Sequence, residues 1–152
     1  MSVVSIEMRP IGAAPISGDD DDSDLAECTQ SALASCHASG TAIYLQRGNR
    51  DFLLGTAFAE RIGAQLLPDY AVIQCAGEPT LLMHGDTVCT DDLPYQEFRR
   101  MVRSTEWQAR FLARPLAERR AEVESLRRRS IEAMQGKTAA IMDANAAAIR
   151  EA

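Results

Sequence analysis

Two short stretches place side chains capable of metal or phosphate chemistry where apolar runs end. Leu81-Leu82-Met83 delivers His84-Gly85-Asp86, and the β-prone run from Thr41 to Leu45 empties into Arg47-Gly48-Asn49-Arg50-Asp51. Side chains that stand just beyond neighbouring strands of an α/β sheet can converge on one crevice, and a turn carrying polar groups at a strand end is a good place for chemistry. A dinuclear phosphoesterase centre needs more than two such residues. It uses several His, Asp and Asn ligands to hold ions roughly 3.5–4 Å apart, generate hydroxide and stabilise the departing oxygen. Taken singly, Asn49 and His84 read as structural residues at strand ends more readily than as ligands, the structural role being the commoner.

The elements that must position these residues are legible from periodicity and punctuation. Ser23 or Asp24 caps a helix running to about Ser39, with Leu25, Cys28, Ala32 and Cys36 on one face and Gly40 as the stop. Phe52 to Ile62 reads as a short helix, interrupted early by Gly55 and stopped by Gly63. Tyr70 to Cys75 and Thr80 to Met83 are β runs joined through Ala76-Gly77-Glu78-Pro79, a hairpin pattern. An Asp91-Asp92 cap with Pro94 in the first turn starts a helix striped by Phe98, Met101 and Val102. Trp107, Phe111 and Leu112 continue that spacing to Pro115, where a second helix carries Leu116, Val123 and Leu126. After Gly136, the stretch from Thr138 to Arg150 is Ala-rich and helical, with Ile141, Met142, Asn145 and Ile149 close to one face. The opening segment has weak β character broken by Pro10, Gly12 and Pro15.

A chain of 152 residues with 46% hydrophobic content is enough for one packed domain. Its net charge of −6 argues against a general nucleic-acid binder, and no nucleic-acid partner is expected. The charge is uneven: from Glu97 to Lys137, eleven Arg and Lys face six Glu, a net of +5, which leaves −11 to the remainder. The acidic run Asp19 to Asp22 is open to three readings, a solvated loop, helix-entry charge or a cation site, of which the first two are commoner. Four cysteines without CxxC spacing read as reduced thiols of a cytoplasmic protein. No apolar stretch approaches the roughly 18 residues of a membrane span, so any membrane contact is expected to be peripheral.

An ordered series of motifs carries a resemblance. It runs through Gly18-Asp19-Asp20-Asp21, then Gly48-Asn49-Arg50-Asp51-Phe52-Leu53-Leu54-Gly55, His84-Gly85-Asp86 with Cys89-Thr90-Asp91-Asp92, Tyr95-Gln96, Phe98-Arg99, and finally Lys137 with Ala140-Ile141-Met142-Asp143 and Asn145. In this order they resemble the UDP-2,3-diacylglucosamine hydrolase family of calcineurin-like metallophosphoesterases over about residues 17–150. The resemblance implies an α/β fold: a partial metallophosphoesterase β-sandwich with flanking helices and an inserted helical lid. The divisions it suggests are an atypical N-terminal segment at 1–16, a partial core at 17–93, the lid at 94–136 and a return helix at 137–152.

The same resemblance implies a manganese-dependent hydrolase of lipid A biosynthesis, with two metal ions in the intact family. Its substrate would be UDP-2,3-diacylglucosamine, cleaved at the pyrophosphate to UMP and 2,3-diacylglucosamine 1-phosphate. Asn49 and His84 match metal ligands, and Asn49 and Arg50 would face the substrate phosphates. Asp92, Ser130 and Lys137 match substrate-contacting positions, so Asn49, Arg50 and His84 form the implied catalytic set. The implied location is peripheral, at the cytoplasmic face of the bacterial inner membrane. There the lid residues Trp107, Phe111, Leu112, Leu116, Val123 and Leu126 would cradle acyl chains, and Arg110, Arg114, Arg119, Arg120 and Arg127-Arg128-Arg129 would meet anionic lipid. The default alternative for the same stripe is the core side of a helix pair.

Some positions depart from the family. Its Asp-x-His, the Gly-Asp of its next strand and its closing Gly-His-x-His have no counterpart among these 152 residues, which hold only His37 and His84. Arg47 stands where the family usually has histidine, and Met134 where a substrate-contacting asparagine is common. The expectation is therefore that this chain alone lacks most of the metal shell and does not turn over by itself. A non-catalytic remnant and a lipid-surface binding module are the competing readings.

Overall fold

The computed structural model describes residues 17–152, and the expected N-terminal segment 1–16 lies outside the described residues. The chain divides into two compact units, Met1–Leu67 and Pro68–Ala152. The architecture is mixed α/β, with one two-stranded sheet in each unit.

In the first unit, helix α1 (Asp24–Ala38) starts where Ser23 accepts a hydrogen bond from the Ala26 N–H, as the cap expectation held. Its buried face is Ala26 and Leu33, whereas Leu25, Cys28, Ala32 and Cys36 are exposed. The expected stripe was misplaced because both sets satisfy helical spacing, and only packing chooses between them. Strand β1 (Ile43–Gln46) runs into the polar turn, helix α2 (Thr56–Arg61) follows, and β2 (Ala64–Leu67) returns parallel to β1, with Ile43 opposite Ala64 and Gln46 opposite Leu67. This is a strand-helix-strand crossover. Strand β2 was not foreseen; four residues of Ala-Gln-Leu-Leu carry no period that separates strand from helix.

Gly55 does not interrupt α2 but caps its start, so Phe52, Leu53 and Leu54 lie in the preceding turn with their side chains buried. Leu33, Leu54, Phe58 and Ile62 form the core cluster, with Ile43, Leu45 and Ala64 packed against it. Burying side chains of this size stabilises by about 1.5–3 kcal/mol each.

The second unit opens with the hairpin of β3 (Tyr70–Cys75) and β4 (Glu78–Met83). Its loop is only Ala76-Gly77, with φ of 53° and 89°, a pair of left-handed residues that matches the twist of the strands. Consequently Glu78 and Pro79 belong to β4, and Pro79 stands opposite Gln74. Helix α3 (Leu93–Arg103) is capped by Asp92, whose carboxylate accepts from the Tyr95 N–H. Of its expected stripe, Val102 is buried and Phe98 half-buried, but Met101 is 49% exposed.

The apolar spacing that ran on to Pro115 conceals a break at Ser104. There Ser104 Oγ accepts from the Trp107 N–H at 3.3 Å and donates to the Met101 carbonyl at 2.8 Å, starting a separate α4 (Thr105–Leu112). Helix α5 (Leu116–Gln135) begins at Pro115 as expected. The single helix expected from Thr138 to Arg150 is two short ones, α6 (Ala139–Met142) and α7 (Ala146–Glu151), separated at extended Asp143 and by the Asn145 cap. Helix propensity in the alanines was outweighed by the local hydrogen bonding of Asp and Asn side chains.

Candidate functional site

Asn49 and Arg50 sit at the C-terminal end of β1, both exposed, in a turn organised by their neighbours. The Asp51 carboxylate accepts from the Gly48 N–H at 2.5 Å, and the Leu54 N–H donates to the Asp51 carbonyl at 3.0 Å. Buried Phe52, Leu53 and Leu54 anchor the turn from behind. The acidic run closes it. The Asp19 carboxylate accepts from the Gly55 N–H at 2.6 Å, and Arg61 donates to the Asp19 carbonyl. A Cβ at Gly55 would lie 2.8 Å from Asp19 Oδ2, so a side chain there would displace the Asp19 carboxylate. Asp21 is buried, 6% exposed, and accepts from the N–H groups of Ser17 at 2.8 Å and Ser23 at 3.1 Å. Part of the acidic run is thus structural acceptor rather than solvated charge.

His84 stands directly after β4, in the second unit, with Nδ1 3.4 Å from Asp86 Oδ1. Gly85, at φ 94°, turns the chain so that Asp86 enters the interior. Asp86 is the hub of an ionic cluster. Its Oδ2 accepts from Tyr95 Oη at 3.1 Å and Arg99 Nε at 3.0 Å, with Arg103 at 3.5 Å. The two arginines also bridge to Asp69, Arg99 at 2.6 Å and Arg103 at 3.5 Å. Tyr95, Arg99 and Arg103 are spaced four apart and therefore share one face of α3.

Burial alone would raise the Asp86 pKa, but the contact with His84 and the charge and hydrogen bond of Arg99 outweigh it and hold the carboxyl well below its ordinary value. Burial together with the Asp86 charge pushes the Tyr95 phenol up, beyond any physiological titration. Burial works against the charge on Arg99, but its bonds to Asp69 and Asp86 more than compensate, so it holds its proton more firmly than usual. Burial and the same carboxylate raise the Cys89 thiol, which argues against a reactive thiolate. The four cysteines form no disulfide.

The substrate-contact candidates fall in the same unit. Asp92 and Lys137 meet each other: Lys137 Nζ donates to the two Asp92 carboxylate oxygens at 2.7 and 2.6 Å. Asp92 thereby both caps α3 and neutralises the lysine. Ser130 is exposed on α5. The stripe shared by α4 and α5 is partly core: Phe111 and Val123 are buried, Trp107 stacks on Phe111 with ring centroids 4.7 Å apart, and Leu112 stays 39% exposed. Arg119, expected on a lipid-facing surface, is 2% exposed and donates to the Arg114 carbonyl at 3.1 Å. It supports the α4–α5 junction from inside, so the charge available to a surface is smaller than the sequence suggested.

Asn49 and Arg50 thus belong to one unit, and His84, Asp92, Ser130 and Lys137 to the other. Among the described residues no three His, Cys, Asp or Glu side chains are grouped to hold a metal ion. One imidazole and one amide oxygen do not make the donor set of a dinuclear manganese centre, and no hydrolytic step follows from them alone. The Asp86 hub had no role assigned from sequence. Its only signals were the four-residue spacing on α3 and the aspartate two places after His84; Asp69 is distant in sequence and gave none.

No family model matches the chain. A UDP-2,3-diacylglucosamine hydrolase of Cellvibrio japonicus is 49% identical over 113 residues, 74% of this chain and 47% of that protein. The hydrolase of the same name from Aromatoleum aromaticum is 49% identical over 110 residues, 72% of this chain and 45% of that protein. That of Chromobacterium violaceum is also 49% identical, over 113 residues, 74% of this chain and 47% of that protein. The chain spans about half the length of these curated relatives. The chain is a homologue of the UDP-2,3-diacylglucosamine hydrolases and a partial match to them.

Proposed function

We propose that this chain carries part of a hydrolase that cleaves the pyrophosphate of UDP-2,3-diacylglucosamine to UMP and 2,3-diacylglucosamine 1-phosphate in lipid A biosynthesis. The observation that carries the reading is the 49% identity to hydrolases of that name over 72–74% of the chain. In this reading 17–93 is part of a metallophosphoesterase core, 94–136 its helical lid and 137–152 a return segment. Asn49 and Arg50 are held at a strand end where Arg50 can pair with a phosphate oxygen, and Lys137, ion-paired with Asp92, would offer its remaining N–H donor to the substrate. Asp92 and Ser130 offer hydrogen bonds to sugar or amide groups. His84 and Asn49 would each offer one donor to manganese, which would need further ligands to be held. The enzyme would work peripherally at the cytoplasmic face of the inner membrane.

Binding and turnover of UDP-2,3-diacylglucosamine by the purified chain with manganese test this reading. Saturable binding, weakened tenfold or more by Arg50→Ala or Lys137→Ala, supports it. UMP release lost in His84→Ala would further show that the chain is catalytic by itself. Absence of saturable binding overturns it.

A second reading, an anionic-lipid surface module, is favoured by Ile131 and Met134, 42% and 43% exposed on a helix that also carries Arg127-Arg128-Arg129. It requires salt-sensitive binding to anionic vesicles without metal, and failure to bind at low salt removes it.

A further inference from the structure

The loop from His84 to Asp92 is held from two sides. From α3, Gln96 Nε2 donates to the carbonyls of Asp86 at 2.8 Å and Cys89 at 3.0 Å. From much later in the chain, Asn145 reaches the same loop with both its backbone and its side chain. Its backbone N–H donates to the carbonyl of buried Val88 at 2.8 Å. Its Nδ2 donates to the two carboxylate oxygens of Asp91 at 3.0 and 3.1 Å. Its Oδ1 meanwhile caps α7, accepting from the N–H groups of Ala147 at 2.9 Å and Ala148 at 3.2 Å. Only a primary amide combines an acceptor oxygen with two donors in so short a side chain, and glutamine is too long to cap in this way. Helix α7 buries no residue, so hydrogen bonds rather than apolar packing fix this segment. Val88 is joined to the histidine end of the loop by its own N–H, which donates to the Gly85 carbonyl at 3.2 Å.

We propose that Asn145 is a positioning residue for His84: it clasps the 84–92 loop through Asp91 and Val88 and thereby fixes where the imidazole stands. The role rests on the functional reading of His84 given above, but the clasp itself is a statement about the loop and is tested there. Asn145→Asp keeps the cap oxygen and replaces the amide donors with a carboxylate facing that of Asp91. Asn145→Ser also keeps a cap but lacks the amide donors that reach Asp91. Asp91→Asn combined with Asn145→Asp exchanges donor and acceptor and restores the pairing.

On the isotopically labelled full chain, the expected result for both single variants at Asn145 is about tenfold or faster amide exchange at Val88 and residue 145, with a displaced His84 ring cross-peak. The exchanged double variant should return both signals toward wild type, which a merely destabilised C-terminus would not do. Trp107 fluorescence reports whether each variant remains folded; should Asn145→Asp unfold, Asn145→Ser decides. The proposal is overturned if the His84 cross-peak is unmoved in the folded single variants, or if the exchanged pair fails to restore it. A clasp that behaves as expected in a chain that does not bind UDP-2,3-diacylglucosamine would sink the functional reading and leave the clasp standing. Binding with an unmoved histidine would do the reverse.

Discussion

Replacing Asp86 by asparagine removes one charge from the centre of the α3 cluster without changing its shape. Asp86 is 7% exposed, and its arginine partners are 15% and 13% exposed at the side chain. Removing one partner of a buried pair costs about 3–5 kcal/mol. Here Asp69, at 2.6 Å from Arg99 and 3.5 Å from Arg103, still compensates the arginines, and the asparagine can still accept one hydrogen bond. The expected loss is therefore about 2–3 kcal/mol, near the worth of one or two charged hydrogen bonds rather than of the whole cluster. Trp107 is the only tryptophan and lies in α4 of the same unit, so urea unfolding followed by its fluorescence reports the relevant transition.

The pH dependence has a definite sign. The native carboxyl is held below its ordinary value of 3.8, so its contribution is fully present above that pH and is lost as pH falls through the native pKa. The deficit of Asp86→Asn should then shrink as the pH falls below 3.8. A deficit under about 0.5 kcal/mol at neutral pH, the size of an ordinary surface substitution, would refute the assignment of Asp86 as the hub. So would a deficit that fails to shrink as the pH falls below 3.8.

Three further outcomes are open to measurement. Lys137→Met leaves the Asp92 carboxylate, 8% exposed, without its cation, and should lower stability by about 1–2 kcal/mol in chemical denaturation at low salt, with the loss reduced at high salt. Gly63→Ala should lower thermal stability, because φ of 67° there costs a side chain about 1–2 kcal/mol and the new Cβ would collide with the His37 ring; adding His37→Ala should recover the steric share but not the backbone share. Ala76→Gly should raise hairpin stability by about 0.5–1 kcal/mol, read as slower amide exchange in β3 and β4, since Ala76 alone among the described non-glycine residues has a positive φ.

Much of the local structure was legible because its causes are local. The Ser23 and Asp92 caps, the hairpin and the Pro115 start each follow from residues within a few positions of one another, and they fell where the sequence put them except that β4 begins at Glu78 rather than Thr80. Where two local signals competed, sequence reasoning chose wrongly. Continuous apolar spacing from Phe98 to Leu112 hid the Ser104 cap, and the alanines after Thr138 masked the break at Asp143. The buried face of α1 and the existence of β2 depend on what packs against them, which no window of residues contains.

The candidate site divides in the same way. Position at a strand end marked Asn49 and His84, while Arg50, Asp92, Ser130 and Lys137 were marked by the ordered resemblance to the hydrolase family. Only the tertiary structure decided that Asp92 and Lys137 neutralise each other across 45 residues, that Asp86 rather than His84 is the buried electrostatic centre, and that Asn145 closes the loop between them. Those contacts are set by distance and desolvation in the folded chain. Neither quantity exists until Asp69, α3 and the segment after Gly136 have been brought to the same place.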